Sequence, residues 1–300
     1  CAESKCITYA MTGETSQTAW CAEKVADFVR ERSMDGKPWL FSVNLFDPHH
    51  SFDAPREYME RYLDRLDEIP LPVHWKGELD NKPLWQTNDA RNGGYGLDRK
   101  FAWRNLSDMD HRLIRASYWA MCDMIDDYVG RMLAALDETG QRENTIVVFT
   151  SDHGELIGDH GIYLKGPFFY DCSVRVPLIV HWPGRVAAQE SPALVELRDL
   201  PQTLLDAAGL PHHPGMQGRS LWPLLTGEAP SDEHRDSVYC EYYNACNGHN
   251  GSFEQPAMAT MLRTRQHKLT VAHGQDQGEL YDLAADPQEL RNLWDDPAAV

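Results

Sequence analysis

The chain has 300 residues, enough for one large α/β domain or for one domain with a small appendage. Its hydrophobic fraction of 42% argues against a disordered chain. Its formal net charge of −18 argues against a nucleic-acid role, because such proteins need a basic surface to neutralise phosphates. No apolar run approaches the length that spans a bilayer. The first residues contain no initiator Met and no signal peptide, so we interpret the chain as a fragment.

The first predicted elements are a helix, a strand and a second helix. Residues 18–32 space their apolar side chains at helical intervals, which indicates an amphipathic helix. Residues 39–46 are apolar on both faces, which predicts a strand buried in a parallel sheet. Pro55 suits the first turn of a helix, and the charged, periodic residues 57–65 continue it.

Residues 68–105 form an irregular stretch, rich in Pro and Trp and without sustained periodicity. So long a stretch in a compact domain is usually functional or mobile. We interpret it as an insertion near the substrate pocket.

The longest predicted helix begins at Ser107, because Ser107-x-x-Asp110 resembles a capping box, and it runs to Glu138 before Gly140. Two more buried strands and a short helix follow, at 145–150, 177–182 and 199–209. This alternation predicts a doubly wound, mostly parallel sheet.

The pattern of apolar and polar residues changes after Gly227. Short alternating runs, separated by turn residues, lie at 238–243, 258–263, 268–272 and 279–281. They predict a small antiparallel sheet, followed by a final helix at 288–294. We therefore divide the chain into a main domain, 1–230, and a C-terminal subdomain, 231–300, that contains this sheet and the terminal helix.

The strongest chemical signal is the polar run 150–155, directly after a predicted buried strand. Ligands of open parallel sheets bind beyond the carboxyl ends of the strands. A carboxylate at Asp152 beside the imidazole of His153 suits a divalent metal. The alternative is a polar turn in which Asp152 caps the next segment.

Several further motifs follow in a fixed order. After Asp-His-Gly come Gly-Asp-His-Gly at 158–161, Lys-Gly at 165–166 and Arg-Val-Pro at 175–177. The run 147–184 resembles the sulfatase family of the alkaline phosphatase superfamily. The tail is also similar, through Asp-Leu-Pro at 199–201, Gly-Arg-Ser-Leu at 218–221 and the Leu-Tyr-Asp-Leu motif at 280–283. The resemblance covers nearly the entire chain.

This resemblance implies an alkaline-phosphatase-like fold, with a sulfatase catalytic domain at 1–230. It makes Asp152 and His153 metal ligands, although many relatives carry Asn where this chain has His153. Ca²⁺ is the family's usual metal, and the imidazole of His153 would also suit Mn²⁺ or Zn²⁺. Lys165 matches the lysine that contacts the sulfate oxygens and the nucleophile. A solvated surface lysine is the plainer interpretation of Lys165 taken alone.

A second site follows another predicted strand, at 47–52. Relatives carry P-H-x-P-[FY] here, and their His protonates the leaving-group oxygen. His49 matches that position, and an imidazole near its ordinary pKa suits such a transfer. His50 is the alternative and a candidate substrate contact; Ser51 stands where relatives have Pro, which leaves the loop conformation open. A pair of surface-loop histidines is the plainer interpretation.

His160 and its neighbour Asp159 are expected to shape their loop, with a contact between His160 and substrate at the rim of the site also open.

The nucleophile of the family is a formylglycine made from Cys or Ser in C/S-x-P/A-x-R. The nearest string is Cys1-Ala2-Glu3-Ser4-Lys5, which we reject because Glu3 and Lys5 replace the required residues. We therefore expect the nucleophile, and two further metal-binding Asp residues, upstream of this fragment. The fragment alone is expected to be inactive.

The resemblance implies a sulfuric ester hydrolase that acts on a sulfate ester, with a sulfated carbohydrate as one candidate. One alternative is a phosphonate monoester or phosphodiester hydrolase of the same superfamily. The other is a non-catalytic module that binds sulfated glycans. No nucleic-acid partner and no membrane span are expected, and the oligomeric state is left open. The family slightly favours a periplasmic or extracellular location.

Overall fold

The computed structural model describes residues 12–94, 99–243 and 257–299. Its α-helices are α1 (Gln17–Asp35), α2 (Arg56–Leu63), α3 (Leu84–Asn92), α4 (Asp108–Glu138), α5 (Asp171–Val174), α6 (Leu200–Ala207) and α7 (Trp222–Thr226). Its strands are β1 (Val147–Thr150), β2 (Leu178–His181), β3 (Val238–Tyr243), β4 (Met258–Arg263), β5 (His267–Ala272) and β6 (Gly278–Asp282).

Helix α4 is the central element of the first core, and both α1 and α2 pack against it. Its N-terminus is fastened by the predicted capping box: the Ser107 hydroxyl accepts the Asp110 N–H, and the Asp110 carboxylate accepts the Ser107 N–H at 2.9 Å. The buried stripe of α4 includes Leu113, Ile114 and Met121, each with no exposed surface. The long helix is confirmed.

The strand predicted at 39–46 is wrong, since this segment has no strand pairing among the described residues. Its aromatic side chains turn instead toward α1. The rings of Trp39 and Phe41 pack on Phe28, with centroid distances of 5.5 Å and 4.6 Å. Leu40 on the other side is 78% exposed. The aromatic residues at the start of this run therefore contact a helix instead of pairing in a sheet.

Strands β1 and β2 form a two-stranded antiparallel sheet, in which Val147 lies opposite His181 and Thr150 opposite Leu178. The sequence predicted a mostly parallel sheet without assigning this pair, and within the described ranges every strand pair is antiparallel. The connection between them carries only the four-residue helix α5 and a compact loop. A parallel pair requires a crossover connection, and the observed register is antiparallel instead.

The four C-terminal strands form the antiparallel sheet that the sequence predicts, in the order β3-β4-β5-β6. One face of the sheet is buried, and its apolar side chains pack on Phe168, Phe169 and Tyr170 from the loop before α5. This packing joins the C-terminal sheet to the loop that follows β1. The domain boundary at 230 stays a prediction.

The final helix predicted at 288–294 is wrong, because this segment consists of turns and extended chain. The side chain of Asn292 donates to the carbonyls of Asn81 and Gly278 at 2.7 Å and 2.9 Å, and it accepts the Leu280 N–H at 3.0 Å. Glu289 adopts a positive φ of 58°. These tertiary bonds and this backbone conformation prevent a continuous helix.

The described part of the segment 68–105 contains α3 and several short 3₁₀ turns, so it is more ordered than the sequence predicted. Gln86 donates to Glu279 at 2.9 Å, and the buried ammonium of Lys82 donates to the carbonyl of Glu289. The segment is therefore bound to the C-terminal sheet. Within the described ranges, no helix combines the length and apolarity that crossing a membrane requires.

Candidate active site

His49 and Lys165 are separated by 116 positions in the sequence and meet in the structure, where Nε2 and Nζ lie 2.5 Å apart. His49 Nδ1 lies 2.7 Å from the carbonyl of His50. Because a carbonyl can only accept, Nδ1 carries the proton and Nε2 offers its lone pair to the Lys165 ammonium. The structure therefore brings the two predicted catalytic side chains into direct contact.

In this loop the surroundings of His49 and His50 disfavour the charged imidazolium form of both side chains. Burial lowers the pKa of His49; the His50 carbonyl opposes this effect and the nearby Lys165 charge adds to it. Burial lowers the pKa of His50 to about 4, with further lowering from His49 and Lys165. The two rings stack with centroids 4.0 Å apart. A cis peptide bond joins His50 to Ser51, at the position where relatives carry Pro.

Asp152 and His153 lie just beyond β1, as predicted. His153 Nε2 is 3.7 Å from Asp152 Oδ2, and the Asp152 side chain is 87% exposed. His153 Nδ1 donates to the Gly154 carbonyl at 2.8 Å, so the lone pair of Nε2 is available to a metal. Asp152 Oδ1 also accepts the His153 N–H, which is the local bond of a polar turn.

These two side chains offer one oxygen and one nitrogen donor, a combination that suits part of a divalent metal site. Among the described residues, no group of three His, Cys, Asp or Glu side chains is arranged to hold a metal ion. The predicted role of Asp152 and His153 as metal ligands stays a prediction. Both also influence the pKa of His49, so they belong to the same electrostatic neighbourhood.

A compact loop, 154–165, determines how these groups are brought together. Gly154 and Glu155 donate their backbone N–H groups to the carbonyls of Ser173 and Cys172, at 2.7 Å and 3.1 Å. Leu156 donates to the carbonyl of Leu164 and closes the loop on itself. The loop therefore begins after Asp152 and His153 and ends at Lys165, so its closure brings the two ends of the loop together.

His160 is not at the rim of the site, and this prediction is wrong. Its ring is buried: it stacks on Tyr170 with centroids 3.6 Å apart, and its Nδ1 lies 2.6 Å from Glu78 Oε1. The neighbouring Asp159 accepts the Val73 N–H and pairs with Arg115 of α4. Asp159 therefore shapes the loop as expected, and His160 does so as well.

Sequence reasoning missed two carboxylates at the site. Glu155 is buried, and burial raises its pKa to about 7 against the opposing charge of Lys165. Asp47 accepts a 2.6 Å bond from the hydroxyl of Thr18. Their positions directly beside the two histidine motifs were the available signal. Asp47 also lines a cavity of about 150 Å³ beside His49, with Ser16, Gln17, Phe46, Asp53, Pro55 and Met124.

Two family models match the chain. The model described as "Sulfatase" matches residues 8–210, which is more than half of the chain. The model described as "N-sulphoglucosamine sulphohydrolase, C-terminal" matches residues 158–300. The chain belongs to the sulfatase family.

Individual members of the superfamily match nearly all of the chain. It is 30% identical over 302 residues to the multifunctional alkaline phosphatase superfamily protein PehA of Trinickia caryophylli, covering 95% of this chain and 57% of the relative. It is 38% identical over 291 residues to arylsulfatase K of Gallus gallus, covering 92% and 52%. The chain thus spans about half the length of the curated relatives that it matches.

Solved structures confirm the alkaline-phosphatase-like α/β fold. The phosphonate monoester hydrolase from Silicibacter pomeroyi has a TM-score of 0.81 and 29% identity, with coverage of 96% of this chain and 57% of that one. The protein BT4656, solved with its substrate D-glucosamine-2-N,6-O-disulfate, has a TM-score of 0.72 and 22% identity, with coverage of 94% and 66%. The second likeness shows the fold alone.

The string at 1–5, which we rejected as the nucleophile motif, lies outside the described residues.

Proposed function

We propose that the protein takes part in the hydrolysis of sulfate esters, with Lys165 and His49 as catalytic residues. The observation that carries the proposal is the 2.5 Å contact between Lys165 Nζ and His49 Nε2 in a chain of the sulfatase family. An ammonium and an imidazole at this separation offer an anion-binding group beside a proton carrier. Cleavage of a charged ester needs both functions.

The resting geometry suggests the order of events. His49 Nε2 accepts from the Lys165 ammonium, so it has no proton to give. When sulfate oxygens bind Lys165, they replace Nε2 as its acceptor and offset the positive charge that disfavours imidazolium. His49 can then take up a proton at Nε2 and pass it to the departing alcohol oxygen. Substrate binding would thereby prepare the general acid.

We further propose Asp152 and His153 as two ligands of a divalent metal, Ca²⁺ by family and Mn²⁺ or Zn²⁺ by the imidazole donor. The available Nε2 and the exposed carboxylate support this assignment. A bound metal would withdraw charge from the sulfate oxygens. The nucleophile in this proposal is a formylglycine contributed by sequence outside the chain printed here.

Sulfated carbohydrate is the proposed substrate class. Its support is the match of residues 158–300 to the family model named for N-sulphoglucosamine sulphohydrolase.

The test uses protein produced from the complete gene. Sulfate release from an aryl sulfate and from a sulfated glucosamine is compared between the wild type, Lys165→Ala and the control Lys37→Ala, which removes an exposed lysine just after α1. Loss of the anion-binding ammonium should lower kcat/KM by about 100-fold, while the control stays at the wild-type value. Sulfate release that is indifferent to Lys165 would contradict the assignment.

A phosphonate monoester hydrolase is the second candidate, favoured by the TM-score of 0.81 to such an enzyme. The same proteins are therefore assayed with a phenylphosphonate monoester and a phosphodiester. Higher kcat/KM on these substrates than on the sulfates would favour the second candidate. Binding of a sulfated glycan without turnover of any of the esters would favour the non-catalytic alternative.

A further inference from the structure

The loop 156–164 between the metal-binding pair and Lys165 is conformationally unusual. Three of its non-glycine residues have positive φ: Ile157 at 41°, His160 at 60° and Leu164 at 67°. Ile and Leu rarely adopt this region, because their side chains crowd the backbone there. Such a backbone persists only where the surrounding contacts hold it, and such residues cluster at functional sites.

The tip of the loop is held by a short segment at 73–82. The backbone N–H of His160 donates to the Val73 carbonyl at 2.8 Å, and the Val73 N–H donates to Asp159 at 2.8 Å. The two stretches are close-packed, since a Cβ on Gly158 would lie 2.7 Å from the Pro72 side chain. The two stretches of chain are therefore fitted together backbone to backbone.

The centre of this junction is Glu78, whose side chain has no exposed surface. Its carboxylate contacts His160 Nδ1 at 2.6 Å, His74 Nδ1 at 2.9 Å and the equally buried Lys82 ammonium at 3.1 Å. Burial by itself would raise the pKa of Glu78, but these three partners hold it well below its usual range. Glu78 is thus an ionised carboxylate, and both of its oxygens accept hydrogen bonds.

The same junction reaches the core through His160 and Lys82. The His160 ring stacks on Tyr170, and the Lys82 ammonium donates to the Tyr170 hydroxyl at 2.9 Å. Tyr170 in turn donates to Gln86 at 2.6 Å. One buried carboxylate therefore fixes both the imidazole at the tip of the loop and the ammonium that anchors the ring beneath it.

We infer that Glu78 is a positioning residue for catalysis: by holding His160 it fixes the strained loop 156–164, and through it the place of Lys165 against His49. This inference rests on the proposed function of Lys165. Small displacements of a catalytic group lower rates strongly, because the productive geometry must be preformed. Glu78 touches neither His49 nor Lys165, so it acts only through the loop.

A double-mutant cycle tests this role in protein produced from the complete gene, with an aryl sulfate as the probe. Glu78→Gln should lower kcat by about tenfold and change KM by less than about twofold. In a Lys165→Ala background, Glu78→Gln should have no further effect, because the group that it positions is absent. A general loss of folded protein would instead reduce activity by the same factor in both backgrounds.

The matched control is Glu68→Gln, just before the segment 73–82, where the exposed carboxylate pairs with Arg65. It should leave the rate as it is in both backgrounds. An additive effect of Glu78→Gln in the Lys165→Ala background, or an activity within about twofold of the wild type, would overturn the inference.

If Glu78→Gln fails to fold, a second pair of variants tests whether the contact between Glu78 and His160 positions the loop. His160→Asn retains an N–H donor toward Glu78 and suits a positive φ, whereas His160→Ala removes the donor. His160→Asn should restore most of the activity that His160→Ala loses, and equal activities would overturn the inference.

The cycle also separates this inference from the proposed function. If Lys165→Ala is as active as the wild type, the proposed function fails and the positioning role falls with it. If Lys165→Ala is impaired and Glu78→Gln acts independently, only the positioning role falls.

Discussion

At the scale of single residues, the state of His49 is set by its neighbours. Its Nδ1 is committed to the His50 carbonyl, and its Nε2 accepts from Lys165. The proposed proton donor is therefore neutral until an anion binds. In this scheme the rate enhancement that His49 supplies depends on how strongly the departing alcohol needs protonation.

His49→Gln tests that dependence. A nitrophenol leaves readily as its anion, whereas an alkyl alcohol needs protonation. The variant should therefore lose about 100-fold in kcat/KM on an alkyl sulfate and less than about tenfold on nitrophenyl sulfate. Rates with both substrates are measured beside His267→Gln, which alters an exposed imidazole of β5. Equal losses on the two substrates would count against proton donation by His49.

Residue patterns in the sequence were sufficient to select His49 and Lys165, which meet in the structure, but their catalytic roles stay predictions. The same patterns misplaced His160, because a His in a Gly-Asp-His-Gly loop can face solvent or the interior. Only the contacts with Glu78 and Tyr170 show that it faces the interior. Glu78 itself lies in a segment with no recognised motif, so no sequence signal indicated it.

At the scale of elements, the turn after β1 depends on close backbone approach. Gly154 lies against the Cys172 carbonyl, and a Cβ at this position would be 2.0 Å from that oxygen. No side-chain rotation can relieve a clash between a Cβ and a backbone atom. The glycine of the Asp-His-Gly motif is therefore required by packing.

Gly154→Ala should displace the turn, lower the melting temperature and reduce activity more than the loss of stability explains. Gly130→Ala is the control, because a Cβ there meets nothing within 4 Å on helix α4. It should stabilise the helix by about 0.5–1 kcal/mol. Thermal unfolding and kcat are measured for both variants. A Gly154→Ala protein with wild-type stability and rate would show that the turn has room to adjust.

Elements whose local signals agreed were predicted within one or two residues. Helix α4 has a capping box and a regular apolar stripe, and the C-terminal strands have period-two patterns separated by turns. The strand predicted at 39–46 and the helix predicted at 288–294 were wrong for a common reason. In each, local pattern was overridden by partners distant in sequence, Phe28 of α1 for the first and Asn81 and Gly278 for the second.

At the scale of the whole molecule, several large apolar side chains are exposed. Leu40, Phe46 and Ile179 are 78%, 52% and 60% exposed. Exposed apolar surface of this kind favours association or the binding of apolar molecules. This surface bears on how the 300-residue chain behaves alone.

We expect residues 1–300, expressed alone, to melt with low cooperativity and to bind a hydrophobic dye. Dye fluorescence and calorimetry are compared with those of the product of the complete gene, which should bind less dye if this surface is covered there. A cooperative transition at an ordinary temperature, with no dye bound, would contradict this expectation.

The sequence by itself determined the α/β class, the family, and most helices and strands. It also identified His49 and Lys165, the two residues that meet at the site. These follow from short-range patterns and from motifs whose order is preserved along the chain. Only the tertiary structure decided the antiparallel pairing of β1 with β2, the burial of His160 and the place of Glu78. Each of these depends on contacts between segments far apart in the sequence, and neither periodicity nor composition records such contacts.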